Sequence, residues 1–225
     1  MTPREKSVIV FGTGSLAKLL WYALSHDSPH EVCAFSVHRN HYQTTQFMGL
    51  PVIPFEDLPG MLAPQDHALV AGLGWARMNQ ARREIVDTAR ALGYSCPSWV
   101  SSRAQTWPDL SIGEHCLIFD GANIQPFARL GNNCIVRSGA VLSHDVELGN
   151  DCLVACGASV GGLAKIGDGC VLGLNCTIRD KVSVAAGSFI AAGAVVIADI
   201  HEAGVYAGIP ARRISDTAKG IPDQR

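Results

Sequence analysis

"SIGEHC LIFDGA NIQPFA RLGNNC IVRSGA VLSHDV ELGNDC LVACGA", residues 111–158, is a string of hexapeptides that runs on without insertion to Ile200, fifteen in all. The second position is aliphatic in every one, from Ile112 to Val196. The sixth is Cys, Ala or Ser in twelve, with Val146, Val182 and Ile200 as exceptions. An amphipathic helix is excluded, because a period of six drifts round a 3.6-residue turn and leaves no fixed apolar face. A short strand and a turn in each hexapeptide fit instead. Gly113, Gly131, Gly149 and Gly167 recur every 18 residues, as do Cys116, Cys134, Cys152 and Cys170. Three strands therefore make one coil of a triangular prism, and five coils fill residues 111–200. Coils stack at strand spacing, about 4.8 Å, so residues 18 apart lie one above another.

The rest of the chain bounds the function. Of 225 residues 48% are hydrophobic, enough for real cores. Eighteen basic and 20 acidic residues are scattered to a net charge of -2, with no basic run to track phosphates, so nucleic acid is not an expected partner. No stretch approaches the roughly 18 apolar residues of a membrane span. The expectation is a soluble, cytoplasmic protein with no membrane partner. The eight cysteines form no CxxC pair. They read as small buried thiols, not as disulfides or metal ligands.

Residues 1–104 read as a small Rossmann-like α/β domain, and 105–225 as the β-helix with a C-terminal tail. KSVIVFGTGSLAKLLWYAL is a buried strand, a glycine turn and a helix with Leu16, Leu19, Leu20 and Ala23 on its apolar side. EVCAFSV gives a second strand, DHALVAGLG a further one, and ARMNQARREIVDTARALGY a helix ending at Gly93. Gly12-Thr13-Gly14-Ser15-Leu16-Ala17 has the spacing of a dinucleotide fingerprint. Such a site ordinarily has Asp or Glu at the end of the second strand, where this chain has Ser36-Val37-His38-Arg39. Three readings stay open: a structural turn, a nicotinamide dinucleotide site, and a site for a phosphate-bearing substrate such as a nucleotide-linked sugar. In the last, Gly12, Gly14 and Ser15 meet phosphates and His38 contacts the nucleotide.

Residues 111–212 resemble the hexapeptide-repeat acyltransferases, whose fold is a left-handed parallel β-helix, and YAGIPAR at 206–212 resembles the segment that closes those helices near the acyl-CoA site. An α/β domain feeding the β-helix, with FMGLPVIPFEDL and GWARMNQARREI, is similar to the sialic-acid O-acetyltransferase type. That type includes sugar N-acetyltransferases of bacterial glycan biosynthesis, such as O-antigen, capsule or lipopolysaccharide. The resemblance implies a homotrimer with acetyl-CoA between neighbouring β-helices and a nucleotide-linked sugar on the α/β domain. An O-acetyltransferase and a non-catalytic nucleotide-sugar-binding protein remain alternatives.

His144 decides between catalysis and binding. A histidine at such a turn is ordinarily a solvated loop residue. Stepping by 18 puts Pro126 below it and Gly162 above it, and a glycine there lets a backbone N–H approach a thioester oxyanion. The resemblance implies the same pairing, with His144 as general base and Gly162 on the oxyanion side. Asp145 either orients the imidazole or fills a polar turn. Several relatives carry a second histidine nine residues after the base, where this chain has Leu153. Arg137 is a candidate substitute for the sugar contacts. By resemblance, Gly162, Gly173, Gly208, Ala211 and Arg212 follow acetyl-CoA along the upper coils. A three-histidine zinc site of the γ-carbonic anhydrase kind lacks its third ligand, since the coils hold only His115 and His144. No metal is expected.

Overall fold

The computed structural model describes residues 6–216, so the tail past 216 lies outside the described residues. Two compact units emerge, one from the chain up to Gly74 with Ala81–Pro97, the other from Trp75–Gln80 with Ser98 onward.

In the first unit a five-stranded sheet comprises β1 (Ser7–Phe11), β2 (Val32–Val37), β3 (Gln46–Phe47), β4 (Leu50–Pro54) and β5 (His67–Ala71), in the order β3-β4-β2-β1-β5. All pairs are parallel except the β3–β4 hairpin. That hairpin is not anticipated by the sequence reading. It turns through Met48 and Gly49, both at positive φ (51° and 79°), as a two-residue hairpin loop demands. Central β1 buries Val8, Ile9 and Val10 completely. Helix α1 (Ser15–His26) turns Ala17, Leu20 and Leu24 inward, a different stripe from the expected one, and leaves Leu19 exposed. A four-residue helix, α2 (Leu58–Met61), precedes β5. Helix α3 (Gln80–Ala91) starts later than its sequence pattern suggests. Arg77, Met78 and Asn79 have φ of 50°, 55° and 67°, which a right-handed helix cannot contain. Gly93, at φ 91°, closes it as expected.

The second unit is a three-sided left-handed parallel β-helix of two-residue strands. One sheet runs from Ser111–Ile112 to Ser183–Val184, a second from Leu117–Ile118 through Phe189–Ile190 to Val205–Ala207 and the antiparallel Arg212–Ser215, and a third from Asn123–Ile124 to Val195–Val196. Partners within the hexapeptides from Ser111 to Val196 are 18 apart, as in Ile135 between Leu117 and Leu153. Strand β6 (Trp99–Val100), which precedes the boundary read from sequence, ladders onto Leu117–Ile118 and so begins the second sheet. Each turn has its fifth hexapeptide residue at positive φ, from His115 to Gly193, and Gly, Asn and Asp dominate there because they tolerate that conformation.

Second-position aliphatics fill the prism, with Ile118, Ile124, Val136, Leu142 and Val154 wholly buried. Each contributes about 1.5–3 kcal/mol against exposure. Cys116, Cys134, Cys152 and Cys170 are buried thiols, as their spacing suggests. The first three donate to the carbonyls of Gly131, Gly149 and Gly167 at 3.1, 3.0 and 3.2 Å. A second apolar column, Leu117, Ile135, Leu153, Val171 and Phe189, occupies first positions of the second sheet and is also buried. Trp75 meets Phe189 edge-on at 5.4 Å, and Asn79 donates to the carbonyls of Gly169 and Cys170 at 3.3 Å.

Candidate active site

His144 sits at the corner after strand Val141–Leu142, where the third sheet turns toward the first. Its backbone N–H donates to Gln125 Oε1 at 3.1 Å, a partner that no sequence signal had suggested. The next residue, Asp145, has φ 58°, a conformation that Asp tolerates better than most residues. That twist returns its carboxylate to the ring, with Oδ2 3.0 Å from His144 Nδ1. With Nδ1–H donating to the carboxylate, Nε2 keeps a free lone pair. Both side chains are about half exposed, so the pair orients the ring more than it stabilises the fold.

Gly162 lies directly above. A Cβ built on it would come within 2.6 Å of His144 Nε2, so the imidazole lies against the space a side chain would fill. The turn itself is held by Leu163 N–H donating to the His144 carbonyl at 3.0 Å and by Lys181 N–H donating to the Gly162 carbonyl at 2.8 Å. The N–H of Gly162 makes no hydrogen bond among the described residues. One corner thus joins an oriented imidazole, its carboxylate, and a backbone donor at the position of a buried glycine.

Other candidates lie elsewhere. Arg137 is at the preceding corner, its guanidinium 4.8 Å from the centre of the buried Phe119 ring one coil below. Within one chain it is not beside His144, because hexapeptides alternate corners. Leu153 belongs to the buried apolar column of the second sheet. Cys156 is also at that preceding corner, away from the imidazole. Gly173 follows the second sheet, and a Cβ there would lie 2.6 Å from the Ile190 carbonyl oxygen, so close coil stacking alone calls for glycine. Gly208, at φ 95°, accepts from Val195 N–H at 3.0 Å, and Ala211 N–H donates back to the Val195 carbonyl at 2.7 Å. Arg212 is exposed, pairs with Ala207 across the antiparallel strands, and donates through Nη1 to the Ala211 carbonyl. Gly173 and the Gly208–Arg212 segment stand at the opposite edge of the third sheet from Gly162. His115 is wholly buried against Asn133, and no group of three or more His, Cys, Asp or Glu among the described residues could hold a metal ion.

In the α/β unit the glycine turn between β1 and α1 is tightly constrained at two of its positions. Gly12 has φ 109°, which only glycine adopts without strain. Gly14 is the N-cap of α1, in extended backbone, a position that favours glycine over alanine, and nothing lies within 4 Å of a built Cβ. Ala17 is pressed against Gly72, whose Cβ would lie 2.6 Å from the Ala17 Cα. Ser15 opens the helix. His38, at the end of β2, contacts Phe11 edge-on at 5.4 Å. A carboxylate missing from β2 arrives from the neighbouring strand: Glu56, just past β4, accepts from His38 Nδ1 and from Arg39 N–H, each at 3.0 Å. Desolvation raises the Glu56 carboxyl, but hydrogen bonds from its own backbone, His38 and Arg39 outweigh it and leave the group below its ordinary value.

Residues 109–144 match the bacterial transferase hexapeptide family (six repeats). The whole fold is similar to the acetyltransferase domain of PglB from Neisseria gonorrhoeae FA1090, solved also in complex with acetyl coenzyme A. Identity is 26%, the TM-score 0.82, and coverage 93% of this chain and 100% of that one. A histidine-to-alanine mutant of GDP-perosamine N-acetyl transferase from Caulobacter crescentus, in complex with CoA and GDP-perosamine, gives a TM-score of 0.85 at 26% identity, over 93% and 97% of the two chains. WeeI from Acinetobacter baumannii AYE shares the fold at 18% identity and a TM-score of 0.62, over 93% and 100%. No curated protein matches the chain by sequence. No helix among the described residues is long and apolar enough to cross a membrane.

Proposed function

We propose that this protein is an acetyl-CoA-dependent N-acetyltransferase acting on the amine of a nucleotide-linked sugar, with His144 as general base. The observation that carries the reading is the corner at which Asp145 fixes the imidazole and Nε2 lies over the glycine Gly162. His144 Nε2 takes a proton from the sugar amine as its nitrogen attacks the thioester carbonyl carbon. The Gly162 N–H donates to the oxygen that gains negative charge, and the Asp145 carboxylate stabilises the imidazolium. As the carbon–sulfur bond breaks, the imidazolium returns its proton to the departing thiolate. The amide and coenzyme A are the products, and no enzyme thiol takes part.

Gly12, Gly14 and Ser15 hold the diphosphate at the N-terminus of α1, where unpaired backbone N–H groups favour an anion. The open space at Gly14, with nothing within 4 Å of a built Cβ, leaves room for that anion. His38, fixed by Glu56, contacts the nucleotide. Gly162, Gly173, Gly208, Ala211 and Arg212 line the path of acetyl-CoA, Arg212 meeting its phosphates. We place the enzyme in the cytoplasm as a homotrimer of the sialic-acid O-acetyltransferase type, acting in surface-glycan biosynthesis such as that of lipopolysaccharide. The exposed Phe127, Leu163 and Leu174 on the β-helix favour contact with further subunits.

The test is coenzyme A thiol release from acetyl-CoA with UDP-, dTDP- and GDP-linked amino sugars and with free sialic acid. Turnover with one nucleotide amino sugar supports the proposal. Turnover with sialic acid alone moves the acceptor from nitrogen to oxygen, and silence across the panel defeats the enzyme reading.

A further inference from the structure

The coil beneath His144 carries an open groove of about 390 Å³ lined by Gln105, Thr106, Trp107, Asn123, Gln125 and Pro126. Its volume falls in the range of roughly 300–1,000 Å³ usual for small-molecule sites. It adjoins the catalytic corner directly. Gln125 Oε1 accepts the His144 N–H at 3.1 Å, and the Pro126 carbonyl accepts from Asp145 N–H at 3.2 Å.

The chemistry of the lining is specific. Asn123 Nδ2 donates to Gln105 Oε1 at 3.0 Å, so each amide in the groove is half used. Nε2 of Gln105, Nε2 of Gln125 and Oδ1 of Asn123 have no partner among the described residues. Two donors and an acceptor thereby remain available beside Trp107, a residue 55% exposed although a free indole gains by covering. Fixed amides match the paired donor and acceptor character of sugar hydroxyls, and an aromatic face matches the C–H face of a pyranose ring. Among the described residues no charged side chain lines the groove. A carboxylate on the sugar would find no cation among these lining residues.

We infer that this groove is the acceptor-sugar subsite, with Trp107 stacking on the pyranose and Gln105, Asn123 and Gln125 reading its hydroxyls, and that it selects a sugar without a carboxylate. The inference rests on the proposed function for the identity of the substrate. It adds the residues that choose the sugar, none of which performs the chemistry.

The experiment separates sugar recognition from nucleotide recognition and from catalysis. In the His144→Ala background, calorimetry compares UDP-, dTDP- and GDP-linked amino sugars with the matching free nucleoside diphosphates. The expected result is one nucleotide sugar binding more tightly than its own diphosphate, with Trp107→Ala abolishing that difference of about tenfold and leaving diphosphate affinity unchanged. Trp107→Phe should restore most of it, which a folding defect would not. If Trp107→Ala leaves the difference intact, or free sialic acid binds as tightly as the amino sugar, the subsite is wrong while the function stands. If no nucleotide sugar binds at all, the proposed function falls and takes the subsite with it.

Discussion

The Nε2 atom of His144 stands 2.6 Å from where a side-chain carbon on Gly162 would be, and Cε1 stands 2.7 Å from it. Gly162 lacks the positive φ of its neighbour Leu163, so alanine there would strain no backbone. The cost of Gly162→Ala falls on the imidazole, the movable partner. This variant should fold with a melting temperature near wild type and lose about 10²-fold or more in kcat, since small misplacements of a catalytic group cost that much. A melting curve beside steady-state kinetics checks both halves.

Asp145 combines two properties that separate substitutions resolve. Asn keeps its tolerance of φ 58° but loses the charge behind the ring, so Asp145→Asn should reduce kcat by about tenfold to a hundredfold at little cost in stability. Asp145→Ala should lose the same activity and about 1 kcal/mol of stability as well, because alanine is disfavoured in left-handed backbone. Chemical denaturation of the pair distinguishes them.

On the α/β unit, Gly12 and Gly14 should respond in opposite ways. Gly12→Ala places a Cβ 3.3 Å from the Gly72 carbonyl at φ 109°, and should destabilise by on the order of 1–3 kcal/mol. Gly14→Ala meets nothing within 4 Å and should fold normally. If the turn holds the diphosphate as proposed, the added methyl meets it, and KM for the nucleotide sugar should rise several-fold with acetyl-CoA kinetics unchanged.

Two buried thiols, Cys176 and Cys116, should contribute to alkaline stability. Burial pushes the Cys176 thiol up to about 12 from an ordinary value near 9, and Cys116 is raised by its hydrogen bond with Cys134 and then by burial. Between those pH values the unfolded chain releases protons that the folded chain retains. The stabilisation is therefore fully present below about pH 9 and is lost as pH rises toward 12. Melting temperature should fall across that window, and less steeply in Cys176→Ala.

The β-helix is legible because one spacing rule repeats without interruption. Aliphatics at Ile118, Val136 and Val154 can face only one interior, and stepping by 18 correctly stacks Gly162 on His144. The same spacing also separates corners. Arg137 is seven residues from His144, more than one strand and turn, and counting hexapeptides places it at the preceding corner. Leu117, Ile135 and Leu153 carry a second signal, apolar first positions every 18 residues, which marks the outer face of one sheet as covered. In the α/β unit the β3–β4 hairpin rests on a two-residue turn, and three consecutive left-handed residues before α3 leave no mark in hydrophobic periodicity. Glu56 escapes notice because its role depends on β4 lying next to β2, a matter of strand order.

The central claim is that His144 moves the proton, and single-turnover acetyl transfer by His144→Ala tests it most directly, run with the amino sugar that the wild type accepts. The account predicts a rate lower by about 10²–10⁴-fold, the range for general-base removal, with calorimetric affinity for acetyl-CoA unchanged. A variant that transfers acetyl at the wild-type rate would contradict it.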